Sequence, residues 1–512
     1  MYKYHELNYS RPDYQEEQKK LMKYKNKMSR ASSCDEIRRL WISMKESAQY
    51  VRYMEQYAYT CFLNGISFDF MKDEIRIINT ESQKLDSLQN DCDRILLNSP
   101  YIKKFSVEYG DVIVNNLRNN ILLSSEQTSS LQARDFNLRA EYTALLANEP
   151  NNEETRNKCY RILDELIKVR SEIAKTLGFN NYVEMGYRLH NRVDYGINDI
   201  VNFRSQIQKL ITPVCAELRK SETINYPKVN ISSGDALIAF IKDMFSDISS
   251  DSGEYIKFML DHELYDIHDR PNKRPNYFSC CMHPYIKAPF IIGCFHGNGL
   301  EVSSLIHEFG HGYAFYSAAR SQKIWEYHRA VTSINEVHSK SMEHFAYPYL
   351  DKLLENKKRE YIHNHLFHSC DNLPYRCAID EFEHALYTDI NLSRIQRCEL
   401  WAEIEKKYMP WRICDSESVK RGAYWPNQPH IFTHPFYYIE YDIAQISVFE
   451  FYKRSKENYR QAWKDYSNLC HAGGSKNYLE LLKIGNLASP FSNNAVEKIC
   501  KPVLNELLDS RW

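Results

Sequence analysis

The chain has 512 residues, of which 43% are hydrophobic and 26% are charged, the composition of an ordinary folded protein. Its 66 Lys and Arg residues balance 67 Asp and Glu residues, so it lacks the positive surplus with which proteins bind nucleic acids or anionic membrane surfaces. We therefore expect neither as a partner. Glycine contributes only 16 residues, about half of its usual share, which favours helices over turn-rich β architectures.

Three features of the sequence bear on its compartment. The longest apolar run, residues 288–295, is too short to cross a bilayer, which takes about 20 residues. The N-terminal residues contain no apolar stretch of the kind that signal peptides carry. The 14 cysteines are scattered without a C-x-x-C pair, which is typical of reduced thiols rather than of a disulfide framework. We expect a cytoplasmic protein.

Helical periodicity dominates the N-terminal half of the chain. Ser33 followed by Glu36 is a capping-box pattern, and apolar residues then recur on one helix face at Ile37, Leu40, Trp41, Met44, Ala48 and Val51. A second helix is predicted over residues 152–177, with Gly178 as its C-terminal cap. Four polar segments predict loops at residues 148–152, 226–234, 246–253 and 269–276.

One strand is predicted, at Phe290–Phe295, and a helix follows it from Glu301. This helix carries the pattern H-E-x-x-H at His307, Glu308 and His311. Histidines four residues apart project from one helix face, so both imidazoles can reach one Zn²⁺ ion, and Glu308 can reach a water molecule beside it.

Two surface histidines on an ordinary helix are the alternative to a metal site. Apolar residues surround the motif on nearly all sides of the helix, which predicts that the motif is buried. Buried histidines beside a glutamate need partners, because burying an unpaired polar group is unfavourable. We therefore favour the metal site.

A catalytic zinc ion usually has three protein ligands, so a third ligand must come from elsewhere. The metzincin pattern fails, because Ala314 and Ser317 stand where it has Gly and His. The downstream candidates are Glu326, Glu336 and Glu343. We predict that Glu326 forms a surface ion pair with Arg329. Glu336 and Glu343 share a helix face, so one can bind the ion while the other orients a ligating histidine, and their spacing does not say which does which.

With these residues in place, the sequence resembles the zinc-peptidase family of thimet oligopeptidase and oligoendopeptidase F. The resemblance rests on HEFGH at 307–311 and EVHSKSME at 336–343, and it continues in matching order at residues 166–187, 288–297, 380–387, 430–445 and 468–491. It implies that Glu336 is the third zinc ligand and that Glu343 supports the site from outside the ligand set.

The resemblance also implies a fold. We expect a mainly α-helical, zincin-type peptidase of two lobes around a deep substrate channel, with a small β-sheet beside the active site. We assign residues 1–150 to an N-terminal helical lobe and residues 151–512 to a catalytic helical lobe that holds the zinc site.

A second catalytic group is implied by the same resemblance. Amide hydrolysis needs hydrogen-bond donors for the oxyanion of the tetrahedral intermediate, and in the family a histidine followed by tyrosines supplies them. The matching residues here are His430, Tyr437, Tyr438 and Tyr441. Ring packing is the alternative role of each tyrosine, and the main donor among them stays open.

The strand at 290–295 is expected to offer an unpaired edge to an extended peptide. A buried hairpin strand is the alternative, and the two are compatible. The resemblance favours the edge and implies that the following residues bind substrate: Phe290, Ile292, Cys294, His296 and Gly297.

These features together predict a zinc metalloendopeptidase that hydrolyses short oligopeptides, with Glu308 activating the attacking water. One alternative is a helical zinc carboxypeptidase resembling carboxypeptidase Taq. Another is a non-catalytic peptide-binding protein whose zinc is structural.

Overall fold

The computed structural model describes residues 8–148, 152–221, 223–229, 233–273, 278–412 and 425–509. The helices before the sheet are α1 Tyr14–Met28, α2 Cys34–Leu63, α3 Phe68–Leu97, α4 Ile102–Tyr109, α5 Asp111–Leu123, α6 Ser129–Asn148, α7 Glu153–Thr176, α8 Tyr182–Leu189, α9 Ile197–Ser221, α10 Gly234–Ile248 and α11 Ser250–Asp261. The strands are β1 Tyr265–Asp266, β2 Ser279–His283 and β3 Ala288–Ile292. The helices after the sheet are α12 Gly299–Ser321, α13 Thr332–Phe345, α14 Asp351–Leu354, α15 Lys358–Thr388, α16 Arg394–Tyr408, α17 Pro429–Thr433, α18 Glu440–Glu457, α19 Tyr459–Ala472, α20 Tyr478–Ile484 and α21 Ala495–Leu508.

The predicted class, mainly α with a small β-sheet, is confirmed. Most described helices are amphipathic and pack on one another. Their apolar faces form a large buried cluster between Tyr57 and Leu507. A smaller cluster joins α1 to α5 around Trp41 and Phe105. The predicted lobe boundary between residues 150 and 151 lies outside the described residues and stays a prediction.

Two predicted helix ends are confirmed. The hydroxyl of Ser33 accepts a hydrogen bond from the N–H of Glu36 and caps α2, although Glu36 itself bonds to Ser32 instead of closing the capping box. Helix α7 is followed by Gly178, whose φ of +86° is left-handed backbone that favours glycine.

The loop predicted at 246–253 is wrong. Helix α10 runs to Ile248 and α11 begins at Ser250, so one residue separates them. The hydroxyl of Ser249 caps α11 by accepting from the N–H of Ser252, whose own hydroxyl donates to the carbonyl of Phe245. Serine-rich sequence here caps helices and does not form a loop. The other three predicted loops lie partly outside the described residues.

The sheet has the strand order β1-β3-β2, with β3 parallel to β1 and antiparallel to β2. Ile291 of β3 therefore pairs with Tyr265 on one side and Cys280 on the other. Strand β3 begins and ends earlier than predicted, and every one of its residues is buried. The expected free edge is wrong for residues 290–292, because they lie in β3, the middle strand; within the described sheet, β2 is an edge strand.

Helices α12 and α13 pass close to each other at Gly310. A Cβ atom at Gly310 would lie 2.8 Å from Cβ of Met342 and 2.9 Å from Cα of Ser339, closer than side chains pack without displacement. Glycine therefore permits the approach that brings the two helices into contact. In the ranges that the structure describes, no helix is both long enough and apolar enough to cross a membrane.

Candidate functional site

The start of α12 is held by the carboxylate of Glu301. Asn298 caps the helix and accepts from the N–H of Glu301. In return, Glu301 accepts from the backbone N–H groups of His296, Gly297 and Asn298 at 2.8, 2.9 and 3.1 Å. Gly297 has a φ of +99°, which favours glycine. These bonds hold the turn between β3 and α12; a substrate-binding role for His296 and Gly297 stays a prediction.

Three of the predicted substrate-binding residues face the core. Phe290, Ile292 and Cys294 are 3%, 0% and 0% exposed. This burial disfavours contact with a substrate, and a substrate-binding role for these three residues stays a prediction. The alternative, a buried hairpin strand, is the one observed.

Three side chains converge where α12 meets α13. The ligand atoms of His307, His311 and Glu336 all lie within 4.8 Å of one another. Nε2 of His307 is 3.5 Å from Oε2 of Glu336, and Nε2 of His311 is 3.9 Å from Oε1 of Glu336. Two imidazoles and a carboxylate on facing helices are a donor set that suits a zinc ion, so these residues could hold one.

Glu343 lies next to this cluster and orients it. Its Oε1 is 2.8 Å from Nδ1 of His307, and its Oε2 is 2.7 Å from Nε2 of His365. The hydroxyl of Ser303 also donates to Glu343, and Nδ1 of His365 lies 2.5 Å from the Tyr347 hydroxyl. Because Nδ1 of His307 is held by Glu343, its Nε2 is turned toward His311 and Glu336, as metal binding requires.

Ser303, His365 and Tyr347 are functional neighbours that the sequence does not predict. His365 lies on α15, and its separation from Glu343 has no helical or motif spacing that could have revealed the contact. Glu326, the third glutamate considered, lies away from the cluster. Its carboxylate is 3.9 Å from Nζ of Lys45 and mostly buried, so the predicted surface ion pair with Arg329 is wrong.

Burial and neighbouring charges shift the pKa values of these groups. Burial alone would lower the pKa of His307, but the hydrogen bond and charge of Glu343 outweigh it and raise this pKa to about 9. Burial would raise the pKa of Glu343, but hydrogen bonds from His307 and His365 hold it well below its usual range. Burial and the charge of His307 lower the pKa of His311, which favours its neutral, metal-binding form.

Glu308 lies between β2 and an open cavity. Burial raises its pKa to about 7, although the charge of His307 and a hydrogen bond from the backbone N–H of Cys280 oppose the rise. A carboxylate with such a pKa is suited to accept and release a proton near neutral pH. The cavity has a volume of about 450 Å³, and Glu308 and His307 form part of its wall, so a bound molecule there would lie against both.

His430 and the three tyrosines form one cluster. The ring of His430 stacks on that of Tyr438 with centroids 4.3 Å apart, and the hydroxyls of Tyr437 and Tyr441 are 3.3 Å apart. Burial raises the pKa of Tyr441, and the charge of Glu336 adds to the rise. Burial likewise raises the pKa of Tyr437, with a smaller contribution from Glu336. Both hydroxyls are therefore close enough to Glu336 to feel its charge, whereas the ring of Tyr438 faces the guanidinium of Arg376, whose Cζ lies 5.5 Å from the ring centroid.

The chain matches known proteins along most of its length. Residues 254–500 match the model of peptidase family M3, and residues 4–123 match the peptidase M3 N-terminal domain. Oligopeptidase PepF of Bacillus subtilis is 26% identical over 265 residues. That region is 50% of this chain and 38% of the relative, so the match spans less than half of that protein.

Solved structures resemble the chain over its full length. PZ peptidase A, determined with an inhibitor, has a TM-score of 0.89 and 29% identity, covering 99% of this chain and 100% of that one. A Bacillus anthracis protein described as an oligoendopeptidase F has a TM-score of 0.84 and 28% identity, covering 99% of this chain and 98% of that one.

Proposed function

Because the chain belongs to peptidase family M3, we propose that it is a zinc-dependent endopeptidase that hydrolyses peptide bonds within short oligopeptides. The observation that carries the proposal is the convergence of His307, His311 and Glu336 directly beside Glu308, at the wall of a cavity. A purely structural metal site would need neither the adjacent carboxylate of Glu308 nor the cavity. The cytoplasmic location stays a prediction.

The residues around the cluster divide the chemistry among them. His307, His311 and Glu336 would hold the ion, and when bound it would polarise the scissile carbonyl and lower the pKa of a water molecule. Glu308 takes a proton from the attacking water and then passes it to the amine of the departing fragment. Glu343 keeps His307 in the orientation that directs its Nε2 toward the other two ligands.

A peptide blocked at both ends tests the reaction class. The zinc-loaded protein should cleave N-acetylated, C-amidated peptides at internal bonds, and mass spectrometry of the products should show two fragments from each cut. A carboxypeptidase would leave such peptides intact, because it needs a free C-terminal carboxylate. Intact blocked peptides beside trimmed unblocked ones would therefore overturn the endopeptidase proposal in favour of the carboxypeptidase.

The tyrosine cluster supplies a second test. Since the hydroxyls of Tyr437 and Tyr441 are paired and near Glu336, we propose that they donate to the oxyanion. Replacing Tyr441 with Phe should lower kcat by about 10²- to 10³-fold, the usual effect of removing one such donor, with zinc content unchanged. Steady-state kinetics and metal analysis would measure both.

The matched control for this test is Tyr438→Phe, because the ring of Tyr438, which Phe keeps, makes its contacts with His430 and with the guanidinium of Arg376. Its loss of kcat should be clearly smaller than that of Tyr441→Phe or Tyr437→Phe. Equal losses for all three variants, or none, would contradict the assignment of the donors.

A further inference from the structure

The lining of the cavity beside Glu308 contains two cationic side chains, Lys340 and Arg376, as well as the carboxylates of Glu308 and Glu343. Lys340 lies on α13, one turn after Glu336, and its side chain lines the cavity together with Glu308 and His307. Its ammonium donates to Oε1 of Gln445 at 3.0 Å. Across the described ranges, no carboxylate lies within 4 Å of this ammonium. A lysine charge inside a protein without a carboxylate partner is unfavourable unless something else compensates it.

Two further donors on the same wall lack acceptors. Gln445 is 1% exposed, and its Nε2 amide group has no hydrogen-bond partner in the described structure. Arg376 donates from Nη1 to Asp442 at 3.2 Å, but its Nε has no partner there either. Both side chains line the cavity. Buried donors without acceptors call for an explanation, such as an acceptor supplied by a ligand, and here they line the same cavity as the Lys340 ammonium.

The position of the cavity relative to His307, His311 and Glu336 indicates which half of a peptide substrate the cavity binds. Glu308 must reach the nitrogen of the departing amine in order to protonate it, so the C-terminal fragment lies on the Glu308 side. The cavity is lined by His307 and Glu308, whereas His311 is not part of its lining. The cavity is therefore placed to take the C-terminal half of the substrate.

We propose that Lys340, together with Gln445 and Arg376, binds a carboxylate in the C-terminal half of the peptide substrate. The proposal rests on the proposed function, because the role of Glu308 sets the direction in which the peptide lies in the site. It makes Lys340 a determinant of substrate choice. The carboxylate can come from two sources, the free C-terminus of a short peptide or an Asp or Glu side chain after the scissile bond. Both present two oxygens to the ammonium and to the amide and guanidinium donors.

A different role for Lys340 would be to offset the charges of Glu336 and Glu343, which act on it across the cluster. If Lys340 had only that role, replacing it would change zinc binding. The protein would then bind a peptide with a free C-terminal carboxylate and the same peptide with a C-terminal amide equally well. The experiment must therefore compare ligands that differ only in one carboxylate.

Affinity measured without turnover makes this comparison. The zinc-loaded Glu308→Gln protein would be titrated calorimetrically with three versions of one peptide: the free acid, the C-terminal amide, and the amide with Glu in place of Gln after the scissile bond. At least one carboxylate version should bind about 10- to 100-fold more tightly than the uncharged amide, as expected for a hydrogen bond to a charged group. The version that does so identifies the source.

Variants at Lys340 in the same background test the residue. Lys340→Met should remove most of this preference, Lys340→Arg should keep it because the charge remains, and the exposed Lys464→Met should leave it unchanged. Metal analysis and thermal unfolding would show whether each variant is folded and loaded. If Lys340→Met does not fold, the carboxylate site is still tested by the Lys340→Arg variant and by the affinities of the three peptides for the Glu308→Gln protein.

The outcomes are separable from those of the proposed function. Equal binding of all three peptides, or a preference that survives Lys340→Met, overturns the carboxylate site. If the parent protein cleaves no peptide but prefers the carboxylate through Lys340, the endopeptidase is wrong and the site stands. Failure of every peptide to bind overturns both.

Discussion

Replacing Glu308 with Gln is expected to lower kcat for peptide hydrolysis by about 10²- to 10⁴-fold, the usual contribution of a general acid–base group. The amide of Gln keeps the shape of the side chain but cannot accept the proton of the attacking water. Because Glu308 is not one of the three converging ligands, zinc content and peptide affinity should stay close to those of the parent protein. Steady-state kinetics, metal analysis and calorimetry measure the three quantities.

The control for this variant is Glu403→Gln, an exposed glutamate on α16. Its kcat should match that of the parent protein. Full turnover by Glu308→Gln would show that water activation does not depend on this carboxylate. A zinc-loaded parent protein that binds peptides but never cleaves them would favour the peptide-binding alternative.

Replacing Glu336 with Gln is expected to cause the largest loss of zinc. Its two carboxylate oxygens face Nε2 of His307 and of His311, so the change removes the negative charge of a direct ligand. Glu343→Gln, on the same helix, should weaken zinc binding by only about 10- to 100-fold, as is typical of groups that orient a ligand. Competition with a chelator would rank the two affinities, and activity should fall in the same order.

Glu336 and Glu343 serve as controls for each other, because both are glutamates on one face of α13, with side chains 9% and 12% exposed. The reverse order, with zinc retained by Glu336→Gln and lost by Glu343→Gln, would exchange their roles. A protein that never takes up zinc, and gains no activity when zinc is added, would rule out the whole metal site.

The difference between these two glutamates shows where reasoning from spacing stops. The seven-residue step correctly places both on one face of a helix. Which of them reaches the metal position depends on where α13 crosses α12, and that crossing is set by the close approach at Gly310. Glu336 thereby faces two Nε2 atoms, while Glu343 lies against Nδ1 of His307 and against His365.

The error at the strand has a related cause. An apolar run predicts burial well, and residues 288–292 are buried. An apolar run does not predict strand pairing, because a strand becomes central only when two other segments pair with its edges. Those segments are β1, of two residues, and β2, whose sequence Ser-Cys-Cys-Met-His lacks a run of β-branched or aromatic residues. Neither segment can be recognised from its own residues, so the sequence predicts a free edge on a strand that is paired on both sides.

Features that depend on neighbours along the chain were predictable from residue types and their spacing. These are the helical class, the caps at Ser33 and Gly178, and the projection of His307 and His311 from one helix face, because each follows from backbone geometry within a few residues. Contacts between distant segments required the packed structure. Three features depend on how separate helices and strands cross: the support of Glu343 by His365, the pairing of β3 on both sides, and the contact of Lys340 with Gln445 in the cavity wall. Spacing within any one element does not encode these crossings.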